Sequence, residues 1–251
     1  MTDIVIIGAC GKMGRVIADI VSGRHDCQVV AGIDKLDGGA AFPIYHTLSQ
    51  MREKPDVIID FSHPSALYDI LDYALANGVA VVVATTGYSQ EQIEQIHKAA
   101  EQIPVFFTFN MSLGINLLAE LAKKAVGVLG DQFDIEIVEK HHNQKLDAPS
   151  GTAIMLADAI NAELEAPYSY VYDRHSVRAK RSKTEIGMHS IRGGTIVGEH
   201  EIIFAGRDEV ITLKHEAHSK SVFAVGAVNA GVFLSKKPAG LYAMSDMLAE
   251  K

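Results

Sequence analysis

Between Glu139 and Thr152 the chain reads Glu-Lys-His-His-Asn-Gln-Lys-Leu-Asp-Ala-Pro-Ser-Gly-Thr. His141, His142 and Lys145 fall within five residues, in a protein whose formal net charge is -8. Imidazole exchanges protons near neutral pH, and a neighbouring lysine adds positive charge or a second proton. Ser150-Gly151-Thr152 has the form of a helix start, where backbone N–H groups lack intrahelical partners and the helix dipole is positive. Proton carriers beside such a helix end suit a small anionic substrate. Two other uses of the same residues stand next to this one. The first is a solvated loop. The second is a metal site, but adjacent histidines lack the i,i+4 spacing of helical ligands and no carboxylate or cysteine completes a set. His215-Glu-Ala-His218 is no better as a ligand pattern, so no metal is expected.

A second chemical signature lies near the N-terminus. Gly8-Ala9-Cys10-Gly11-Lys12-Met13-Gly14 separates a short apolar segment from a helical pattern. That is where a dinucleotide fingerprint belongs: glycines let backbone approach a pyrophosphate, and the following helix supplies N–H donors. The spacing is G-x-x-G-x-x-G, and Cys10 stands where the more familiar pattern has its second glycine. A tight strand-to-helix turn without a ligand is the plainer reading. Asp34 follows about 20 residues after Gly14, the usual place for an acid that binds ribose hydroxyls. Lys35 beside it suits a 2′-phosphate instead, so the pair predicts use of both NADH and NADPH. Lys12 is either a phosphate contact or an exposed helix lysine. Cys10 is a small side chain in a turn, since no CxxC or paired thiol accompanies it.

The elements that must position these groups are legible from apolar periodicity. Residues 3–8, 27–33, 57–60, 79–84 and 105–108 are short apolar strands. Residues 12–22, 65–76 and 89–101 are helices, with Asn77-Gly78 closing one and Ser89 opening another. Strands alternating with helices predict a Rossmann-like parallel sheet covered on both faces. Ligands of such sheets bind beyond the strand C-termini, where Gly8, Asp34, Asp60-Phe61-Ser62, Thr85-Thr86 and Thr108-Phe109-Asn110 all fall.

The pattern then changes. Residues 115–129 are helical and 133–139 alternate with period two. The Thr152 helix is followed by strands at 186–191, 195–205 and 210–216, with turns at Arg192-Gly193-Gly194 and Gly206-Arg207-Asp208. This predicts a smaller α+β domain with a mostly antiparallel or mixed sheet, one face of which is left to bury elsewhere. An apolar helix over 222–234 is placed to return to the first domain. The domain bounds expected are 1–112 plus 223–251, and 113–222.

With 251 residues, 48% hydrophobic and 22% charged, the composition is that of a globular protein with one large or two modest domains. No apolar run approaches the roughly 20 residues of a membrane-spanning helix. The acidic balance argues against general nucleic-acid affinity. Two cysteines give no disulfide framework and fit a reducing, cytoplasmic setting.

Several segments together resemble the dihydrodipicolinate reductase family of bacterial and plant lysine and diaminopimelate synthesis. They are Gly8-Ala-Cys-Gly-Lys-Met-Gly14, Asp60-Phe-Ser-His-Pro64, Ala84-Thr-Thr-Gly87, Asn110-Met-Ser-Leu-Gly-Ile-Asn116, His141 through Ala153, and Ile186 through His200. The resemblance runs nearly end to end, and the His-His and Ala-Pro-Ser-Gly-Thr segment is its most diagnostic part. It implies a cofactor domain, a hinge at Asn110–Gly114, and a substrate domain whose sheet builds a homotetramer. It implies proton transfer by His141, with Lys145 as proton donor or electrostatic stabiliser. His142, Gly151 and Thr152 become contacts to a cyclic dicarboxylate substrate. Gly8, Ala9, Cys10, Gly11, Lys12, Met13, Asp34, Lys35, Ala84, Thr85, Thr86, Thr108, Phe109, Asn110 and Met111 fall on NADPH- or NADH-contact positions. Lys12 stands where arginine is common, Ala84 where some members have glycine, and Lys220 where arginine is expected, so no role is carried onto Lys220.

Other reductase classes fit less well. A short-chain dehydrogenase needs a Tyr-x-x-x-Lys pair, which the chain lacks. A semialdehyde dehydrogenase needs a nucleophilic cysteine, whereas Cys10 is in the glycine turn and Cys27 begins a core strand. A dinucleotide-sensing binding protein without chemistry is the non-enzyme alternative; His141, His142 and Lys145 speak against it.

Overall fold

Short runs of β-branched residues are shaped for burial on both faces, and the first half of the chain uses them that way. The computed structural model describes residues 1–36 and 38–250. In chain order the elements are β1 (Thr2–Ile7), α1 (Lys12–Ser22), β2 (Cys27–Ile33), β3 (Ile44–Tyr45), β4 (Val57–Asp60) and α2 (Leu67–Asn77). Then come β5 (Ala80–Val83), α3 (Gln90–Ala100), β6 (Pro104–Phe107), α4 (Leu113–Leu129), β7 (Asp134–His141) and α5 (Gly151–Asn161). The chain continues with β8 (Ser169–Val171), β9 (Glu185–Arg192), β10 (Gly198–Ala205), β11 (Val210–Ala217), α6 (Ser221–Leu234), β12 (Gly240–Tyr242) and α7 (Met244–Ala249). They gather into two compact units. One holds Met1–Leu113 and the segment from Ser221 onward, the other Gly114–Lys220.

The first unit is built on a seven-stranded sheet of order β12-β6-β5-β4-β1-β2-β3. Every pairing in it is parallel. Alternation sends Ile4, Ile6, Val57, Ile59 and Val82 to one face, under α1 and α6. Val5, Ile7, Ile58, Val81 and Val83 go to the other, under α2 and α3. The local signals sit where the periodicity predicts: Gly78 closes α2 with φ +66°, and Ser89 and Gln92 form a capping box at α3. Helix α6 does return to this unit, because it packs on β4, β5 and α1. A Cβ at Gly226 would lie 1.7 Å from the Met111 carbonyl oxygen, so this helix tolerates no side chain at the crossing.

The second unit carries a five-stranded sheet of order β11-β10-β7-β9-β8. It is mixed. The β11–β10 and β10–β7 pairs are antiparallel, and the β7–β9 and β9–β8 pairs are parallel. Helices α4 and α5 cover one face through Ile135, Ile137, Ile186, Met188, Ile202 and Phe204. The sequence expectation of a turn between neighbouring strands holds at Gly206-Arg207-Asp208, where Gly206 N–H donates to the Glu209 carbonyl at 2.9 Å. It fails at Arg192-Gly193-Gly194. There the chain passes over the end of β7, so β9 and β10 flank that strand instead of pairing with each other. Gly193 N–H donates to the His141 carbonyl at 3.0 Å during the crossing. Hairpin-like residues do not reveal that a third strand lies between the two they join.

Candidate active site

The C-terminal edge of the parallel sheet collects the predicted cofactor residues of the first unit. Gly8 through Met13 follow β1, Asp34 and Lys35 follow β2, Ala84, Thr85 and Thr86 follow β5, and Thr108 through Met111 follow β6. The strand order reverses between β2 and β4 on either side of β1, which makes the Gly8 turn the topological switch point. Gly8 has φ +78°, and a Cβ there would lie 2.6 Å from the Phe61 carbonyl oxygen. At Gly14 a Cβ would lie 2.2 Å from the Gly8 oxygen, so only glycine lets α1 start this close to the turn. Gly11 is the N-cap of α1 and offers no side-chain cap, which leaves the helix end to a ligand or solvent.

The Asp34 carboxylate ties the end of β2 to the turn. It accepts from Cys10 N–H at 2.9 Å and from Leu36 N–H at 3.1 Å. Cys10 is buried and its Sγ donates to the Leu36 carbonyl at 3.0 Å, so it packs as a small side chain. Beside these residues opens a cavity of about 1010 Å³ lined by Gly8, Asp34, Lys35, His46, Ser62 and Tyr73 among others. Ala9, Cys10, Ala84, Thr85, Asn110 and Met111 are buried, whereas Lys12, Lys35, Thr86 and Phe109 are exposed. The glycine cradle, the bare helix end and the cavity beside Asp34 fit a dinucleotide.

Asp60, at the end of β4, is a buried carboxylate to which the sequence reading gave a place and a share in the family resemblance but no side-chain role. It accepts from Ser62 Oγ at 2.5 Å, Ser62 N–H at 3.1 Å and Tyr88 Oη at 2.9 Å. Burial pushes its carboxyl above the ordinary range, against those hydrogen bonds. Ser62 N–H also donates to Thr85 Oγ1 at 2.8 Å, joining the ends of β4 and β5 at one of the predicted cofactor residues.

In the second unit His141 is the last residue of β7, and His142 is the first beyond it. Strand alternation places Glu139 on the same face as His141. The Glu139 carboxylate lies 2.6 Å from His141 Nδ1. Arg192 grips the same carboxylate with both terminal nitrogens, at 2.8 and 2.7 Å. Ser150 N–H donates to it at 3.2 Å. Burial raises the Glu139 carboxyl, but hydrogen bonds from Arg192, Ser190 and His141 outweigh it and hold the group at about 2. Burial lowers the His141 imidazole, Glu139 raises it, and the charges of Lys145 and Arg192 lower it again; the net is below the ordinary value.

Lys145 pairs with Asp147 at 2.9 Å, and its N–H donates to the His142 carbonyl at 3.2 Å. Ser150 caps α5 by accepting from Ala153 N–H at 3.1 Å, so Gly151 and Thr152 form the first turn of that helix. Ser150 Oγ lies 3.0 Å from Nε2 of His200, a buried residue of β10. Burial, with a smaller push from His141, drives the His200 imidazole down to about 3, so it stays neutral. The unit thus brings His141, Arg192 and the α5 N-cap onto one carboxylate, ties the Lys145 loop to the same arginine through the Asp147 carbonyl, and leaves His142 on the adjoining turn.

Glu139, Arg192 and His200 had no role in the sequence reading, and Ser150 entered it only as the start of a helix. Glu139 was within reach of it, being two residues before His141 on an alternating strand. Arg192 and His200 carried no local signal, because their meeting with Glu139 depends on strand order.

Enzymes that move hydride with a nicotinamide dinucleotide are built on such a parallel sheet with a glycine turn at its switch point, and add a second unit for substrate. The fold and the site place the chain in this class of two-unit, dinucleotide-dependent oxidoreductases. Two family models match it, "Dihydrodipicolinate reductase, N-terminus" over residues 2–111 and "Dihydrodipicolinate reductase, C-terminus" over residues 114–248. The chain therefore belongs to the dihydrodipicolinate reductase family.

A 4-hydroxy-tetrahydrodipicolinate reductase of Caldanaerobacter subterraneus subsp. tengcongensis is 48% identical over 248 residues, covering 99% of this chain and 98% of that protein. One from Clostridium novyi is 45% identical over 252 residues, covering 100% of both. A dipicolinate-bound dihydrodipicolinate reductase from Paenisporosarcina sp. TG-14 superposes with a TM-score of 0.80 at 26% identity, covering 97% of each chain. No described helix is long and apolar enough to cross a membrane.

Proposed function

We propose that the protein is a 4-hydroxy-tetrahydrodipicolinate reductase that serves lysine and diaminopimelate synthesis with NADH or NADPH. The carrying observation is that both units match the two halves of one reductase family, with end-to-end relatives of that name. The coenzyme, when bound, supplies the hydride. Gly8 to Met13, Asp34, Lys35, Ala84 to Thr86 and Thr108 to Met111 would hold it; the buried members of this set have mainly backbone to offer.

The substrate read for this site is a cyclic dicarboxylate. Loss of water from the hydroxy compound leaves a conjugated C=N system, and hydride addition to the ring carbon leaves an enamine that must gain a proton. His141 or Lys145 supplies that proton in this reading. Lys145, His142 and the Gly151-Thr152 helix start hold a substrate carboxylate.

The test is steady-state oxidation of NADH and NADPH, side by side, with the hydroxy substrate. Substrate-dependent oxidation is expected with both coenzymes. Coenzyme binding without substrate-dependent oxidation would instead identify a dinucleotide-sensing protein.

The assembly proposed is a homotetramer joined through the second sheet. The face of that sheet opposite α4 and α5 has no covering helix within its unit, and Ile191 and Val210 are exposed. Light scattering should give the mass of four chains; the mass of one chain would remove this part of the reading. Cytoplasmic residence accords with two buried free thiols, Cys10 and Cys27.

A further inference from the structure

A carboxylate can only accept, so the 2.6 Å contact between Glu139 and His141 Nδ1 places a hydrogen on that nitrogen. Nε2 is then the nitrogen left for proton exchange with a substrate. The ring has room to point it away from Glu139, because the neighbour across the strand on that side is Gly198; a Cβ there would lie 3.2 Å from Nε2.

Glu139 is only 1% exposed, and a buried carboxylate is held ionised only if its neighbours compensate it. Arg192 does so with a bidentate grip. The same arginine donates to the Asp147 carbonyl at 2.7 Å, on the loop that carries Lys145. The other side of Glu139 takes Ser150 N–H, next to the start of α5. One ion pair, with its carboxylate buried and its guanidinium partly exposed, therefore touches each of the three parts that the site needs.

We propose that Glu139 and Arg192 are the positioning residues of this site: they set the tautomer and direction of His141 and tie to it the Lys145 loop and the first turn of α5. This inference rests on the reading of His141 as a proton-transfer residue. The charged and titratable groups facing His141 are Glu139 on its own strand, Arg192 on β9, His200 on β10, and Lys145 on the following loop. Glu139 alone among them is anionic. The carboxylate thus counters the cations and burial that would otherwise strip the proton from His141.

The sign of the pH effect follows. A proton donor must be protonated, so turnover falls as pH rises through the His141 pKa. Removing the charge of Glu139 lowers that pKa and moves the alkaline limb of the kcat profile to lower pH. A group that served only to hold the fold would change the melting temperature and leave the limb in place.

The experiment compares wild type with Glu139→Gln, Glu139→Asp, Arg192→Lys and His141→Gln, using kcat–pH and KM measurements, thermal melts and nitrogen NMR of the histidine rings. Glu139→Gln is expected to lower kcat by about 10- to 100-fold, as loss of a histidine-orienting partner does elsewhere, and to shift the alkaline limb downward. Glu139→Asp keeps the charge and should restore the limb in part. Arg192→Lys loses the fork and should lower kcat in the same direction. In wild type, neutral His141 should carry its hydrogen on Nδ1, a readout that needs no variant to fold. A folded Glu139→Gln with an unmoved limb, or a wild-type His141 with its hydrogen on Nε2, overturns the proposal. If His141→Gln abolishes turnover in that case, the proton-transfer reading still stands; if His141→Gln keeps turnover, that reading falls and this proposal with it.

Discussion

His141→Gln is expected to lower turnover by about 100- to 10,000-fold, the range for loss of a general acid or base, with coenzyme affinity close to that of wild type. Glutamine is the informative replacement. Its amide N–H can still donate to a carboxylate such as Glu139, so the buried charge need not be left alone. It cannot release a proton to a carbon acid's conjugate base. Lys145→Ala is expected to act in the same direction. Lys145 is partly accessible, at 21% exposure, and it pairs with Asp147, which is itself 58% exposed. An exposed pair of that kind contributes little to folding, so the loss should appear in turnover and KM for the dicarboxylate, and hardly in the melting temperature. Neither residue belongs to the unit that carries the glycine turn, which is why coenzyme binding should survive. The checks are kcat and KM with both coenzymes, coenzyme titration by fluorescence, and a thermal melt. Near-native turnover in both variants would end the assignment of proton transfer to this segment.

Gly14→Ala should produce the opposite signature. The added methyl would stand 2.2 Å from the Gly8 oxygen and 2.7 Å from Ala9 Cα and Ala9 oxygen. All three are backbone atoms, so α1 and the turn must move apart. Overpacking of this kind costs about 1–3 kcal/mol. Where the strain is relieved by binding-competent geometry being lost, that corresponds to about a tenfold to hundredfold weaker coenzyme affinity. Gly11→Ala is the graded comparison, since its methyl would stand 3.2 Å from the same oxygen; a smaller loss is expected. Isothermal titration with NADH and NADPH measures both. Native affinity in Gly14→Ala would show that the close start of α1 is not what cradles the dinucleotide.

These two experiments fall on features of different origin, and the difference separates what the sequence by itself determined from what only the tertiary structure decided. Everything that depends on neighbours in the chain was legible. The glycine turn, the Ser89 capping box, the Gly78 helix stop and the Ser150 start of α5 are each written within a few residues, because caps and turns are local hydrogen-bonding and steric problems. The alternation that buries β1, β4 and β5 on two faces is equally local, and with it the class of the first unit and the placing of Gly8, Asp34, Thr85 and Asn110 along one sheet edge. The short strands β3, β8 and β12 were not legible. Three residues such as Gly240–Tyr242 have no period of their own and are strands because they pair with Pro104–Phe106 at a sheet edge. The same limit applied to the site. His141 and Lys145 stood out by type and spacing, but the carboxylate that governs His141 is held by Arg192, 53 residues further along the chain. That meeting exists because β7 runs between β9 and β10, with His141 opposite Arg192 and Glu139 opposite His200. Strand order is set by how the sheet as a whole best buries Ile135, Ile137, Ile186 and Ile202 beneath α4 and α5, a free energy summed over distant segments. No window of sequence contains it, and so His141 and Lys145 could be singled out from the chain, while the Glu139–Arg192 pair beside His141 required the fold.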